Sequence, residues 1–228
     1  MEQNNVEIVE VKSLTIMEKL KYFFVNPNKL FEEYNTRPTW LLKTILVVAL
    51  TIVGTVISTK LMIGPTIDMM IQQSPGMPKE QLDATMAIMN SPIVIGIAIG
   101  GAIFVAFGAV FLGSLIYYGL ISLFGGKTKY LKVVSVYSLA YIPFTISTLF
   151  ALTFAYYTNN FDSMLQPEIK DVIFNRLDIF VIWQVLLLVF GFAKISNLKL
   201  FKTAIIVGIM WTLSTVISVV TASMGKLF

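Results

Sequence analysis

The run that most resembles a reactive motif in this sequence is Gly125-Gly126-Lys127-Thr128. Gly-Lys-Thr ends the phosphate-binding loop, in which an earlier glycine stands five residues before the last one. Here that earlier position is Ile121, and a long apolar segment precedes the run instead of a soluble strand. We therefore interpret the run as a glycine cap that ends a helix, with lysines at a membrane surface.

The 228 residues include no cysteine and no histidine. These two residue types provide much of the nucleophilic catalysis and metal binding in proteins. Their absence excludes Ser-His and Cys-His catalysis, disulfides and the usual zinc sites. Only Gln184 is strongly polar and well inside an apolar run. Since transport paths and intramembrane proteases need polar groups at such depth, we expect no catalytic residue, no cofactor and no metal.

The composition identifies the environment in which these residues must work. Hydrophobic residues make up 56% of the chain and charged residues only 13%, with a mean hydropathy of +0.79. Soluble domains carry about 25% charged residues. The net charge of +4 is too small to indicate binding to nucleic acid. We expect a protein whose first partner is the lipid bilayer.

Five apolar runs are long enough to cross a bilayer. They predict an all-α polytopic membrane protein with transmembrane helices at about 41–63, 93–122, 133–157, 177–194 and 203–222. The second run is overlong, because residues 92–124 contain no charge. A helix of that length approaches about 50 Å, against about 30 Å for the hydrocarbon core. Either one tilted or kinked helix or two re-entrant halves broken near Gly100-Gly101 would fit.

Lysines and arginines near the ends of these helices indicate the cytoplasmic side. Twelve lie on the side of the N-terminus and five on the other. The first set is Lys12, Lys19, Lys21, Lys29, Arg37, Lys43, Lys127, Lys129, Lys132, Lys194, Lys199 and Lys202, and the second is Lys60, Lys79, Lys170, Arg176 and Lys226. The asymmetry predicts a cytoplasmic N-terminus and a C-terminus outside, with residues 1–39 as a cytoplasmic segment and residues 40–228 as the transmembrane domain.

The N-terminal segment contains a helix signal. Thr15 and Glu18 have the spacing of a capping box, and apolar residues then recur on one face at Ile16, Met17, Leu20, Phe23 and Phe24. Lys19 and Lys21 flank that face, and with Lys127, Lys129 and Lys132 we place them at the membrane surface. The segment is interpreted as a membrane anchor that precedes the first span, and a docking surface for a protein partner is the alternative.

A stripe of small residues runs along the second span. Gly96 and Gly100 have GxxxG spacing, and Ala102, Ala106 and Gly113 continue the series. Small side chains let two helix backbones approach closely. We assign these five residues to helix packing, within the chain as the commoner case or against a second subunit.

Several features in order resemble those of the Yip1 domain family in its short bacterial form. They are Asn26-Pro27, Phe31, the run 37–40 (Arg-Pro-Thr-Trp), the Gly125-Gly126-Lys127 loop and the run 136–144, which ends in Ile142-Pro143-Phe144. The resemblance implies a five-helix bundle with a cytosolic N-terminus, in a bacterial cytoplasmic membrane. Eukaryotic relatives act in vesicle trafficking and bind prenylated small GTPases, but residues 1–39 lack the Asp-Leu-Tyr-Gly-Pro-like stretch of those proteins. The GTPase role is therefore not carried over.

Together these features favour a non-enzymatic membrane organiser or adaptor that acts through helix packing and its cytoplasmic amphipathic segment. Other membrane proteins or a second copy of the chain are its candidate partners. A transporter, channel or lipid-moving protein is the alternative, because overlong or proline-interrupted helices often line substrate sites.

Overall fold

The computed structural model describes residues 14–224, which form helices and no strand. Eleven helices follow one another in the described chain. They are α1 (Ile16–Val25), α2 (Pro27–Thr36), α3 (Leu41–Leu61), α4 (Ile63–Gln73), α5 (Lys79–Met89), α6 (Pro92–Leu123), α7 (Tyr130–Thr158), α8 (Asp162–Leu165), α9 (Ile169–Arg176), α10 (Ile179–Ser196) and α11 (Leu200–Met224). Two of the charges that predicted the orientation, Lys12 and Lys226, lie outside the described residues.

Five of these helices, α3, α6, α7, α10 and α11, are long and apolar enough to span a membrane. This confirms the all-α polytopic class and the predicted number of spans. The overlong second run is one continuous helix, α6, of 32 residues, so the structure has a single helix where the sequence also allowed two re-entrant halves.

Local sequence explains where α6 begins and ends. The Ser91 hydroxyl accepts a hydrogen bond from the N–H of Val94, and Pro92 occupies the first helical position, where its missing N–H costs nothing. At the other end Gly125 has a φ of 84°, a left-handed conformation that glycine adopts without strain. The N–H of Gly126 then donates to the carbonyl of Ile121 at 2.8 Å, which is the bonding of a glycine-capped C-terminus.

The most buried span is α7, which packs against α3, α6 and α10. α11 packs mainly on α10 and touches α6 only slightly. Helix α7 continues through Pro143, as transmembrane helices can when their neighbours hold them. The five spans therefore form one bundle. Its weakly packed boundary between α6 and α11 is called the α6–α11 seam below.

Candidate functional site

The N-terminal unit, which we define as α1 and α2, is attached to one end of the bundle. Helix α1 begins with the predicted capping box. The N–H of Thr15 donates to the Glu18 carboxylate at 2.8 Å, and the N–H of Glu18 donates to the Thr15 hydroxyl at 3.3 Å. Pro27 starts α2 directly after α1, and α2 ends at Thr36 with Arg37 as its C-cap. The two helices form a compact pair that packs on α7 and α10.

One face of helix α2 is buried in the protein, although the sequence indicated a surface anchor. Leu30 is 1% exposed, Phe31 is 0% and Tyr34 is 2%. They share one hydrophobic core with residues of α7 and α10 such as Val136 and Phe192. The reason is a groove in α10: Gly191 has no side chain, and the Phe31 ring fills the space that a side chain there would need.

A polar network holds α2 in place. The ammonium of Lys19 donates to the Glu33 carboxylate at 2.8 Å, and the second oxygen of this buried carboxylate has no hydrogen-bond partner among the described residues. The Asn35 amide donates to the carbonyl of Lys194 at 3.0 Å and accepts from Lys132 at 3.1 Å. Asn35 thereby links α2 to α7 and α10 at once.

Tyr34 lies where α2 meets the first span. The ammonium of Lys43 lies 3.4 Å from the centroid of the Tyr34 ring, which is the geometry of a cation–π contact. Burial, and then the charge of Glu33, raise the pKa of Tyr34 well above its ordinary value. The tyrosine is therefore neutral at any physiological pH.

The outer face of α1 is not covered by any other part of the described chain. Ile16 is 79% exposed, Met17 76%, Leu20 58% and Phe24 66%. Phe23 alone turns inward, where its ring meets that of Trp183 edge-on at 6.3 Å between centroids. The predicted apolar face thus divides into one residue that attaches α1 to the bundle and four that point away from it.

The basic loops meet the N-terminal unit at the same end of the bundle. Hydrogen bonds connect them directly: the N–H of Lys127 donates to the carbonyl of Ser196 at 3.1 Å, and Lys194 pairs with Glu32 at 2.7 Å. Among residues 14–224, eleven lysines and arginines and three acids lie at this end, against four and seven at the other. Of the predicted surface lysines, Lys21, Lys127 and Lys129 are exposed, whereas Lys19 and Lys132 are half-buried in the network above.

The small residues of α6 have different surroundings. A Cβ built on Gly113 would lie 2.6 Å from the Tyr137 hydroxyl, so α7 approaches α6 closely there. Ala106 is buried and Ala102 half-buried. A Cβ on Gly96 or Gly100 would meet no atom within 4 Å in the described chain. The Gly113 end of the stripe therefore packs on α7, whereas the end at Gly96 and Gly100 meets no described residue.

The bundle also contains an intramembrane cavity that sequence reasoning missed. Its volume is about 270 Å³. Polar side chains from five helices line it, namely Tyr117, Tyr137, Tyr141, Arg176, Gln184 and Ser214, among apolar residues such as Val181, Leu188 and Trp211. The sequence pointed to Gln184 alone, and the structure places it beside five further polar side chains. The available signal was the spacing of Tyr137 and Tyr141, four residues apart on one face of α7.

Comparison with known proteins finds one family model and one relative that are similar to the chain. The model of the Yip1 domain matches residues 21–222, so the match begins inside α1. The membrane protein YknW of Bacillus subtilis (strain 168) is 26% identical over 204 residues, which cover 84% of this chain and 85% of that protein. No solved structure matches the chain.

Proposed function

Because this chain belongs to the Yip1 domain family and has five helices able to span a membrane, we propose that it is a non-enzymatic membrane organiser or adaptor. Its exposed working surface is the outer face of α1, formed by Ile16, Met17, Leu20 and Phe24. The observation that carries this proposal is that Phe23 holds α1 to the bundle and Lys19 holds it to α2, while these four large apolar side chains point away from the rest of the described chain.

The position of this face supports a role at the membrane surface. The N-terminal unit lies at the basic end of the bundle, which is the end that the positive-inside rule assigns to the cytoplasm. A helix with an apolar face and flanking lysines is stable in the headgroup region of an anionic leaflet. From there it is available to a membrane-bound partner that packs beside the bundle.

The lipid-facing part of α6 supports lateral association as a second element of the same function. Gly96 and Gly100 leave its first turns without side chains on one side, and the described chain does not cover them. Small residues at such spacing permit close packing of another helix. We propose that a partner or a second copy contacts the bundle along this stretch.

Crosslinking in native membranes tests the proposal. A triple substitution of Ile16, Met17 and Leu20 by Gln leaves Phe23, Lys19 and the core of α2 intact, unlike a deletion of residues 1–25. We expect a near-stoichiometric crosslinked partner in the parent protein and its loss in the triple variant. Ile88→Gln, at a residue of the opposite end that is 62% exposed, is the matched control. An unchanged crosslinking pattern in the triple variant would overturn the role of α1.

The second candidate function, a transporter, channel or lipid-moving protein, has one observation in its favour, which is the polar intramembrane cavity. The overlong second span is present as the 32-residue α6, but α7 continues through Pro143, so neither helix is broken in the described chain. Reconstitution into vesicles decides between the two: movement of ions, small solutes or labelled lipid would favour this candidate over the adaptor.

A further inference from the structure

The intramembrane cavity has a lining that requires an occupant able to form hydrogen bonds. The hydroxyls of Tyr117, Tyr137 and Tyr141 and the amide of Gln184 make no hydrogen bond to another side chain or to the backbone among residues 14–224. Tyr117 is also only 7% exposed. A polar group at membrane depth costs several kcal/mol when it has no partner, so these four groups must bond to what the cavity contains.

The charge of the lining indicates the sign of that occupant. Arg176 lies at one end of the cavity, where one terminal nitrogen (Nη2) donates to the Ser218 hydroxyl at 2.8 Å and to the Ser214 carbonyl at 3.2 Å. An arginine has five N–H donors, and the other nitrogens of this one make no bond to a described residue. No carboxylate from residues 14–224 lines the cavity.

The nearest acid in sequence, Asp178, is already occupied. One of its carboxylate oxygens accepts from the Ser147 hydroxyl at 2.6 Å and the other from the N–H of Phe180 at 2.7 Å. It therefore caps α10 and does not pair with Arg176. Burial lowers the pKa of Arg176 from its ordinary value, but a guanidinium remains protonated in proteins. The cavity thus has a cation at one end and neutral hydrogen-bonding groups beyond it.

The location of the cavity decides which kind of anion can reach it. Its walls come from α6, α7, α9, α10 and α11, and Tyr137 lies seven residues into α7, roughly 10 Å from the start of that helix. The wall between α6 and α11 is the weakest, since these helices touch only slightly. A molecule that enters through this seam comes from the bilayer.

We propose that this cavity binds the phosphate-bearing head of an anionic membrane lipid, with Arg176 on the phosphate and the tyrosine and glutamine groups on the neighbouring hydroxyl and ester oxygens. The acyl chains remain in the bilayer, outside the α6–α11 seam, because about 270 Å³ holds a head group and not a whole lipid. This site is distinct from the outer face of α1 and does not rest on the adaptor function.

A binding measurement on the full chain tests the site. The purified, delipidated protein is titrated with phosphatidylglycerol, with phosphatidylcholine of the same acyl chains and with inorganic phosphate, and bound lipid is read by native mass spectrometry and by thermal unfolding. We expect saturable binding and a rise in Tm with phosphatidylglycerol alone. Equal binding of the two lipids would overturn the role of charge, and a rise in Tm with phosphate alone would overturn a lipid as the ligand.

Two sets of variants distinguish a loss of lipid binding from a loss of folding. The double variant Tyr137→Phe/Tyr141→Phe keeps both rings and removes only two hydroxyls, and Arg176→Gln removes the charge. Loss of one charge-assisted contact should raise the Kd for phosphatidylglycerol about tenfold or more. The controls are Tyr157→Phe, at an 81% exposed ring, and Lys170→Gln, an exposed cation on the same short helix as Arg176. An unchanged Kd in the folded double variant and in Arg176→Gln would overturn the proposal.

Discussion

The Phe31 ring of α2 lies against the bare backbone of Gly191 in α10, so closely that a Cβ on Gly191 would be 2.9 Å from the Phe31 Cε1 atom. The same Cβ would also contact the Cγ1 atom of Val136 in α7. One glycine in a transmembrane helix therefore lets a helix of the N-terminal unit enter the core of the bundle.

Gly191→Ala is expected to loosen this attachment. Val136 is β-branched and stiff within its helix, so the added methyl group must push α10 away from α7 as well as displace Phe31. Overpacking of this kind costs about 1–3 kcal/mol. We expect a lower Tm and faster hydrogen exchange in residues 27–36. Gly208→Ala is the control, because a Cβ there meets no atom within 4 Å. Equal exchange of α2 in both variants would contradict the packing.

The Lys19–Glu33 pair should matter more than its position near the surface suggests. The Glu33 side chain is only 5% exposed, whereas that of Lys19 is 34% exposed. Lys19→Met leaves a buried carboxylate without this ion pair, and we expect a loss of about 1–3 kcal/mol, below the ~3–5 kcal/mol of a fully buried pair. The double variant Lys19→Met/Glu33→Gln should recover part of that loss, since the buried charge is gone.

Chemical denaturation of the detergent-solubilised protein measures these differences. Lys170→Met is the matched control, because the Lys170–Glu168 pair has side chains that are 67% and 49% exposed. Because both side chains are exposed to solvent, its removal should leave the free energy of unfolding unchanged. If Lys19→Met were no more destabilising than Lys170→Met, the Lys19–Glu33 pair would have no special role in holding α1 on α2.

Alkaline pH should weaken the N-terminal unit through Tyr34. Its pKa is raised in the folded protein by burial first and by the charge of Glu33 second, so folded Tyr34 keeps a proton that the unfolded chain releases above about pH 10. This contribution to stability is complete below about pH 10 and is lost as the pH rises above it. Between about pH 9 and about pH 11 we expect the Tm of Tyr34→Phe to fall less than that of the parent. Tyr157→Phe should follow the parent, and identical curves for all three would refute the assignment.

The orientation of the chain is open to a direct test, because the sequence contains no cysteine. Asn28→Cys lies on the exposed side of α2 at the basic end, and Gln81→Cys lies on exposed α5 at the other end. We expect a membrane-impermeant maleimide to label only the cysteine at position 81 in intact cells, and both cysteines after the membrane is opened. Labelling of position 28 alone in intact cells would reverse the predicted orientation.

Much of the architecture follows from the sequence without any tertiary information. The five spans and the capping box at Thr15 depend on the local composition and spacing of side chains. A helix that must satisfy its backbone hydrogen bonds within hydrocarbon needs only enough consecutive apolar residues. Because these are properties of short segments, one sequence is sufficient to predict them.

The burial of α2 and the lining of the intramembrane cavity depend on tertiary structure. The face of α2 is apolar whether it meets lipid or protein, and only the contact with Gly191, 160 positions later in the numbering, places it in the core. Tyr117 is likewise ordinary within α6, and it becomes a cavity residue because α7 and α10 bring Tyr137, Tyr141 and Gln184 to it. The sequence by itself determined which segments enter the membrane, since that depends on hydrophobicity. Which side chains meet there depends on helix packing between distant segments, and local patterns do not encode it.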